Sequence, residues 1–195
     1  SIDLVDHRST NDWRLSETED GLFLHSPASV NFRPYHIDYQ KGELARRIRG
    51  IGFKDPLVKA IGRQSLGKVI IDACMGWGRE AVGLASLGFR VVGIEANPLV
   101  ALMVARANQQ LSPSKQLAKV RFGDSKVLAP LVEDEAVLYL DPLFVKSGMA
   151  KSRKDLQILQ KIGQNDSIEE LMTLARLKKF DRVVVKRPLK GEALG

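Results

Sequence analysis

The stretch Asp72-Ala73-Cys74-Met75-Gly76-Trp77-Gly78-Arg79-Glu80-Ala81 decides the fold of this chain. It begins within an apolar, β-branched run, residues 68–74, which is typical of a strand buried on both faces. Gly76 and Gly78 let the backbone turn sharply from that strand into a helix, and they leave room for a ligand against the main chain. The free N–H groups at the start of the helix would face such a ligand.

After this loop, strand patterns alternate with helix patterns. The predicted strands cover residues 68–74, 90–95, 118–122, 136–140 and 182–186. The predicted helices cover residues 79–87, 98–111, 125–131, 152–162 and 168–177. This alternation predicts βαβ units with right-handed crossovers, and therefore a Rossmann-like α/β fold with a mostly parallel sheet.

The composition limits the classes of function. The chain carries 30 Lys and Arg against 23 Asp and Glu, a formal net charge of +7. This excess suits a polyanionic partner, because Lys and Arg displace counterions from phosphates, but it suits a merely solubilising surface equally well. Cys74 is the only cysteine, which excludes an internal disulfide and a cysteine metal cluster. We expect a cytoplasmic protein without a metal site.

The sequence also predicts no membrane segment. No apolar run reaches the roughly 18 residues that a membrane-spanning helix needs. The first residues are polar and mixed in charge, which is not the pattern of a signal peptide.

Glu95, at the end of the second predicted strand, is the expected acidic partner of the glycine loop. A carboxylate at that point can accept hydrogen bonds from both ribose hydroxyls of a nucleoside. Gly76, Gly78 and Ala81 satisfy the dinucleotide pattern G-x-G-x-x-A as well, so the loop alone leaves S-adenosylmethionine and a nicotinamide dinucleotide equally open. A tight turn without any ligand is a third interpretation.

Asp124 and Ser125 follow the third predicted strand. An acid and a hydroxyl at a strand end can hold the adenine amino group of a bound nucleoside. The same pair is also favoured at a helix N-cap, and the two interpretations are compatible.

The tetrapeptide Asp141-Pro142-Leu143-Phe144, at the end of the fourth predicted strand, favours a methyltransferase. It resembles the (D/N)-P-P-(Y/F) signature of methyltransferases that act on exocyclic amines. The lone pair of such an amine is delocalised into its ring, so the Asp141 carboxylate and a backbone carbonyl would accept its two hydrogens and favour a more nucleophilic nitrogen. Phe144 would stack on the base. A nicotinamide oxidoreductase has no use for these residues, although an ordinary Asp-Pro turn would also explain them.

With these residues, the chain is similar to the bacterial small-subunit rRNA guanine-N2 methyltransferases, the RsmJ (YhiQ) family. The resemblance runs from about Phe32 to Pro188. The similar stretches are DACMGWGRE (72–80), ASLGFRVVGIEANPLVA (85–101), YLDPLF (139–144), RVVVKRP (182–188) and the GELA segment (42–45).

This resemblance implies a class I S-adenosylmethionine-dependent methyltransferase that acts on a guanine of small-subunit rRNA, free or in an assembling ribosomal subunit. Asp141, Pro142 and Phe144 are the predicted catalytic residues. The predicted cofactor-binding residues are Asp72, Gly76, Gly78, Arg79, Glu80, Glu95, Ala96, Asp124, Ser125 and Asp141. Adenine N6, cytosine N4 and protein glutamine remain alternative acceptors, because they share the same planar nitrogen.

Lys186 and Arg187 follow the fifth predicted strand, at the carboxyl edge of the sheet where ligands bind in this fold. We expect them to contact RNA phosphate. A solvated strand end would explain this basic pair equally well.

The chain divides into two predicted regions. Residues 1–40 differ from the rest and are expected to form an N-terminal extension of short strands, with a hairpin within residues 21–32. Residues 41–195 are the expected methyltransferase domain, which begins with a helix over residues 42–49. Because few residues follow Pro188, we expect the antiparallel strands that usually end such a sheet to be absent.

Overall fold

A computed structural model describes residues 4–5, 13–132, 135–142, 154–163, 168–177 and 179–187. Phe144 and the C-terminal residues 188–195 lie outside this part of the chain. The predictions that Phe144 stacks on a base and that C-terminal strands are absent therefore stay predictions.

The N-terminal region contains a four-stranded antiparallel sheet in the order β1-β2-β3-β4. Its strands are β1 (Leu4–Val5), β2 (Arg14–Thr18), β3 (Gly21–His25) and β4 (Tyr35–His36). The buried side chains of Trp13, Leu15 and Leu24 belong to the same apolar cluster as the main domain's helices. The sheet therefore adds to the core on one face of the molecule.

The hairpin predicted within residues 21–32 is wrong. Strand β3 pairs with the preceding strand β2 in an antiparallel hairpin, in a register that places Thr18 opposite Gly21. After Pro27 the chain turns, with the Val30 amide donating to the Pro27 carbonyl at 2.9 Å. The partner strand β2 was not predicted, because it buries little more than Leu15 and so lacks an apolar run.

Two helices connect this sheet to the main domain. Helix α1 (Gly42–Arg49) matches the predicted helix, whereas α2 (Pro56–Ile61) was not predicted. The Asp55 side chain caps α2 by accepting a hydrogen bond from the Leu57 amide at 2.8 Å. An N-cap Asp followed by Pro in the first turn was the signal that could have revealed this helix.

The main domain has the predicted α/β architecture. The remaining helices are α3 (Arg79–Ser86), α4 (Pro98–Gln109), α5 (Ser125–Leu128), α6 (Lys154–Ile162) and α7 (Ile168–Leu177). The remaining strands are β5 (Val69–Asp72), β6 (Arg90–Glu95), β7 (Lys119–Phe122), β8 (Val137–Leu140) and β9 (Arg182–Val185). These strands form a sheet in the order β7-β6-β5-β8-β9, and every neighbouring pair is parallel. The predicted fold class is confirmed.

The strand order positions the site. Strands β5 and β8 are buried along their whole length, and alternate residues face apolar clusters on opposite sides of the sheet. Because all five strands are parallel, their carboxyl ends lie at one edge. The order reverses at β5, and the crevice beside such a reversal is where ligands bind in open α/β sheets.

Within the described ranges, no helix is both long and apolar enough to cross a membrane.

Candidate active site

A cavity of about 320 Å³ opens at the carboxyl edge of the sheet. Its walls come from the loop after β5, the ends of β6 and β8, and helices α1 and α6. The cavity therefore occupies the crevice expected from the strand order.

The loop after β5 is shaped by two glycines in the left-handed region, Gly76 at φ 51° and Gly78 at φ 71°. A Cβ on Gly76 would lie 3.2 Å from Leu159 Cδ1, and a Cβ on Gly78 would lie 2.6 Å from the Tyr39 hydroxyl. Conformation and space thus both favour glycine at these two positions. The backbone can consequently approach a ligand more closely than other residues would permit.

Glu95 ends β6 and is tied to the glycine loop. Its Oε2 accepts a hydrogen bond from the Gly76 amide at 2.9 Å, and its Oε1 accepts one from the Asn97 amide at 2.8 Å. These amides fix the carboxylate at the cavity wall beside Ala96. A carboxylate oxygen can accept more than one hydrogen bond, so the Glu95 carboxylate is chemically suited to accept hydrogen bonds from the hydroxyl groups of a ligand.

Asp124 and Ser125 have different surroundings. Asp124 is exposed and caps α5 by accepting from the Lys126 amide at 2.8 Å. Its predicted contact with adenine stays a prediction. Ser125 lines the cavity, and its buried hydroxyl has no hydrogen-bond partner within the described part of the chain. A buried polar group without a partner is unfavourable, so Ser125 fits a site that a polar ligand completes.

A cluster of charged side chains forms another wall of the cavity. The Lys186 ammonium lies 2.5 Å from Asp141 Oδ2 and 3.0 Å from Glu80 Oε1. Arg79 also donates to Glu80. Asp72 lies behind them, only 2% exposed, and accepts from the Cys74 amide at 3.3 Å. Within the described residues, the carboxylates of Glu80 and Asp141 are therefore paired with Arg79 and Lys186, and the buried Asp72 lies close to this cluster.

Burial and these neighbours raise the pKa of Asp72 and Asp141 and lower the pKa of Glu80. Burial, together with the charges of Glu80 and Asp141, raises the pKa of Asp72 well above its ordinary value. Burial also raises the pKa of Asp141, although Lys186 opposes the rise. For Glu80, burial is outweighed by the hydrogen bond from Arg79 and the charge of Lys186, so its pKa is lowered. Asp72 is therefore the carboxyl group of this cluster that most favours the protonated form.

Helix α6 covers the cavity, which the sequence analysis did not predict. The Trp77 Nε1 donates to the Asp155 carbonyl at 2.9 Å, and the Arg47 guanidinium pairs with the Asp155 carboxylate at 3.2 Å. At the other end of α6, Asn97 Nδ2 donates to the Ile162 carbonyl at 2.7 Å. A tryptophan inside a ligand loop was the available signal, but nothing local predicts its partner 78 residues away.

Comparisons with known proteins agree with this geometry. The family described as "Putative SAM-dependent methyltransferase" matches residues 2–195. A ribosomal RNA small subunit methyltransferase J of Coxiella burnetii (strain Dugway 5J108-111) is 31% identical over 190 residues, which cover 89% of this chain and 75% of the relative. The protein of the same name from Edwardsiella ictaluri (strain 93-146) is 35% identical over 166 residues, which cover 78% of this chain and 66% of the relative.

The chain belongs to the ribosomal RNA small subunit methyltransferase J family.

A solved structure gives the same result for the fold of this family member. The crystal structure of a SAM-dependent methyltransferase from Neisseria gonorrhoeae aligns with a TM-score of 0.68 at 25% identity. The alignment covers 97% of this chain and 77% of that one. The chain is an S-adenosylmethionine-dependent methyltransferase, as the glycine loop and the tetrapeptide predict, and the nicotinamide alternative is set aside.

The methyltransferase J site fits S-adenosylmethionine. Gly76 leaves a close approach for the ligand, Glu95 offers acceptor oxygens, and the Ser125 hydroxyl lacks a partner among the described residues. A nucleoside ligand carries hydroxyl groups and a base that meet all these needs.

The structure brings most of the predicted site residues together. Those that line the cavity are Gly76, Arg79, Glu80, Glu95, Ala96, Ser125, Asp141, Pro142 and Lys186. Asp72 is buried behind the wall, Gly78 shapes the loop, and Asp124 and Arg187 are not among the residues that line it. The individual roles of these residues stay predictions.

Proposed function

We propose that this chain transfers a methyl group from S-adenosylmethionine to the exocyclic N2 amine of a guanine in small-subunit rRNA, in the cytoplasm. The observation that carries the proposal is the position of Asp141-Pro142 at the wall of the cavity that the glycine loop and Glu95 also line. The name shared by the relatives supports the rRNA substrate. The net charge of +7 suits a polyanionic substrate.

The cofactor supplies an electrophilic methyl group on a positively charged sulfur. Glu95 accepts hydrogen bonds from ribose hydroxyls, and Ser125 bonds a polar atom of the adenosine. Asp141 and the carbonyl of Pro142 accept the two hydrogens of the target amine and hold its nitrogen in line with the methyl group. Catalysis by this chain is then mainly alignment and preorganised hydrogen bonding.

The substrate assignment is tested with purified protein, labelled cofactor and three acceptors: small-subunit rRNA, assembled small subunits and large-subunit rRNA. Label is expected in small-subunit rRNA, free or assembled, and nuclease digestion is expected to release N2-methylguanosine. Labelled N6-methyladenosine or N4-methylcytidine would assign another amine. Label in protein glutamine, with none in RNA, would overturn the nucleic-acid substrate altogether.

Ser125→Ala separates a cofactor contact from a structural role. The variant is expected to bind S-adenosylhomocysteine about three- to tenfold more weakly, because one hydrogen bond is lost. The thermal stability of the free protein is expected to stay or rise, because the buried hydroxyl has no partner within the described ranges. Calorimetric titration and thermal unfolding measure the two effects.

Ser65→Ala is the matched control, since the buried Ser65 hydroxyl donates to the Ile61 carbonyl at 2.8 Å. This variant is expected to lose stability and to keep its affinity. If Ser125→Ala behaved in the same way, the hydroxyl would have a structural role only.

A further inference from the structure

The backbone itself brings Lys186 to Asp141. Strands β8 and β9 are paired in parallel with Leu140 opposite Val185, and the Lys186 amide donates to the Leu140 carbonyl at 2.8 Å. The residues that follow the two strands are therefore neighbours at the cavity edge. The side chain then extends to carboxylate oxygens of both Asp141 and Glu80.

We propose that Lys186 is a positioning residue for Asp141, whose ammonium fixes the orientation and the negative charge of the carboxylate that meets the target amine. This inference rests on the proposed function, in which Asp141 accepts a hydrogen of that amine. The ammonium binds Oδ2 and leaves Oδ1 for the substrate. A carboxylate free to rotate would offer neither oxygen at a constant place.

The negative charges around Asp141 favour a cation beside it. Asp141 is faced by Asp72 from β5, by Arg79 and Glu80 from α3, by the Tyr139 hydroxyl at 3.4 Å from β8, and by Lys186 after β9. Arg79 is already bonded to Glu80. Among the described residues, removal of the ammonium would leave Arg79 as the cation beside Asp141 and Glu80, and repulsion between these two carboxylates would favour protonation of one of them.

Loss of the Lys186 ammonium is expected to raise the pKa of Asp141. Burial raises the pKa of Asp141, and Lys186 works against that rise through both its charge and its hydrogen bond. Removal of the ammonium therefore raises the pKa of Asp141 further. Since the ionised form accepts the amine hydrogen, activity would then require a higher pH.

The first test needs no catalysis. In protein labelled with ¹³C at the aspartate carboxyl groups, the Asp141 resonance is assigned with Asp141→Asn and titrated in wild type, Lys186→Met and Lys186→Arg. The pKa of Asp141 is expected to rise in Lys186→Met and to stay near the wild-type value in Lys186→Arg. An unchanged pKa in Lys186→Met would overturn the proposal.

The second test is a pH profile of methyl transfer to small-subunit rRNA. In Lys186→Met, kcat at neutral pH is expected to fall roughly 10- to 100-fold, with the acid limb displaced to higher pH and a smaller deficit at alkaline pH. KM for RNA is expected to change little. Lys186→Arg should restore most of the rate. A deficit equal at all pH values would contradict the proposal.

A contact between Lys186 and RNA phosphate, the prediction from sequence, has a different signature. It would raise KM and reduce the salt dependence of RNA binding without moving the pH profile; that result would also overturn the positioning role. Lys68→Met is the matched control. The Lys68 ammonium pairs with the Asp181 carboxylate at 2.6 Å, and neither residue lines the cavity. If wild type methylated no RNA, the proposed function would fail, while the titration would still decide how Lys186 acts on Asp141.

Discussion

Replacement of Asp141 by alanine is expected to lower the rate constant for methyl transfer by about 100-fold or more. The variant loses the proposed acceptor of the amine hydrogen, and the Lys186 ammonium, bound to Asp141 at 2.5 Å in the wild type, keeps only Glu80 among these two carboxylate partners. Affinity for S-adenosylhomocysteine is expected to stay within a few fold. Single-turnover kinetics with small-subunit rRNA measure the rate, and calorimetry measures the affinity.

Two further variants make this result specific. Asp141→Asn keeps an acceptor oxygen but loses the negative charge, so its loss of rate is expected to be smaller than that of the alanine variant. Asp181→Ala removes an aspartate that pairs with Lys68 rather than lining the cavity, and it is expected to keep the wild-type rate. A full rate in Asp141→Ala would reduce the tetrapeptide to an ordinary turn.

Glu95→Ala is expected to weaken binding of S-adenosylhomocysteine by about 100-fold or more. Each hydrogen bond to a charged group contributes roughly 1.5–3 kcal/mol, and the carboxylate is proposed to accept two from a ribose. The change also removes the acceptor of the Gly76 amide, so the glycine loop loses one of its hydrogen bonds to β6, while the bond from the Met75 amide to the Ile94 carbonyl remains. Calorimetric titration measures the loss, with NAD as a second ligand that neither protein is expected to bind.

Glu19→Ala provides the control for this second variant. Glu19 lies exposed in the turn between β2 and β3, so its removal is expected to leave the affinity unchanged. Affinity within threefold of wild type in Glu95→Ala would mean that other groups hold the ribose. A fold check by circular dichroism separates loss of contact from loss of structure.

The features that could be predicted from the sequence are those that depend on residues close together in the chain. A strand, a glycine turn and a helix follow one another within ten residues, so the sequence around Gly76 predicts the ligand loop directly. Glu95 could be placed because the end of a parallel strand always meets the same edge of the sheet. The fold and a nucleoside site follow from these short-range features, whereas the choice of S-adenosylmethionine over a nicotinamide dinucleotide needed the tetrapeptide that begins at Asp141.

The contacts that remained hidden depend on packing between distant segments. Arg47 pairs with Asp155 across 108 residues, and the partners of Lys186 depend on the register of β8 and β9. A run of basic residues predicts a solvated face or a phosphate contact, because sequence does not show which carboxylates lie opposite. The short strand β2 was missed for a related reason, since its one fully buried residue, Leu15, creates no pattern.

The strand order has a consequence for the time at which the enzyme becomes active. Glu95 comes from the middle of the chain, Asp141 follows β8, and Lys186 follows β9, which pairs with β8 at the edge of the sheet. A ribosome releases the segment that contains β9 long after the glycine loop has emerged. A nascent chain can therefore bury most of its core before Asp141 gains its counter-ion, and with Lys186 in the proposed positioning role we expect competence for methyl transfer only when β9 has docked.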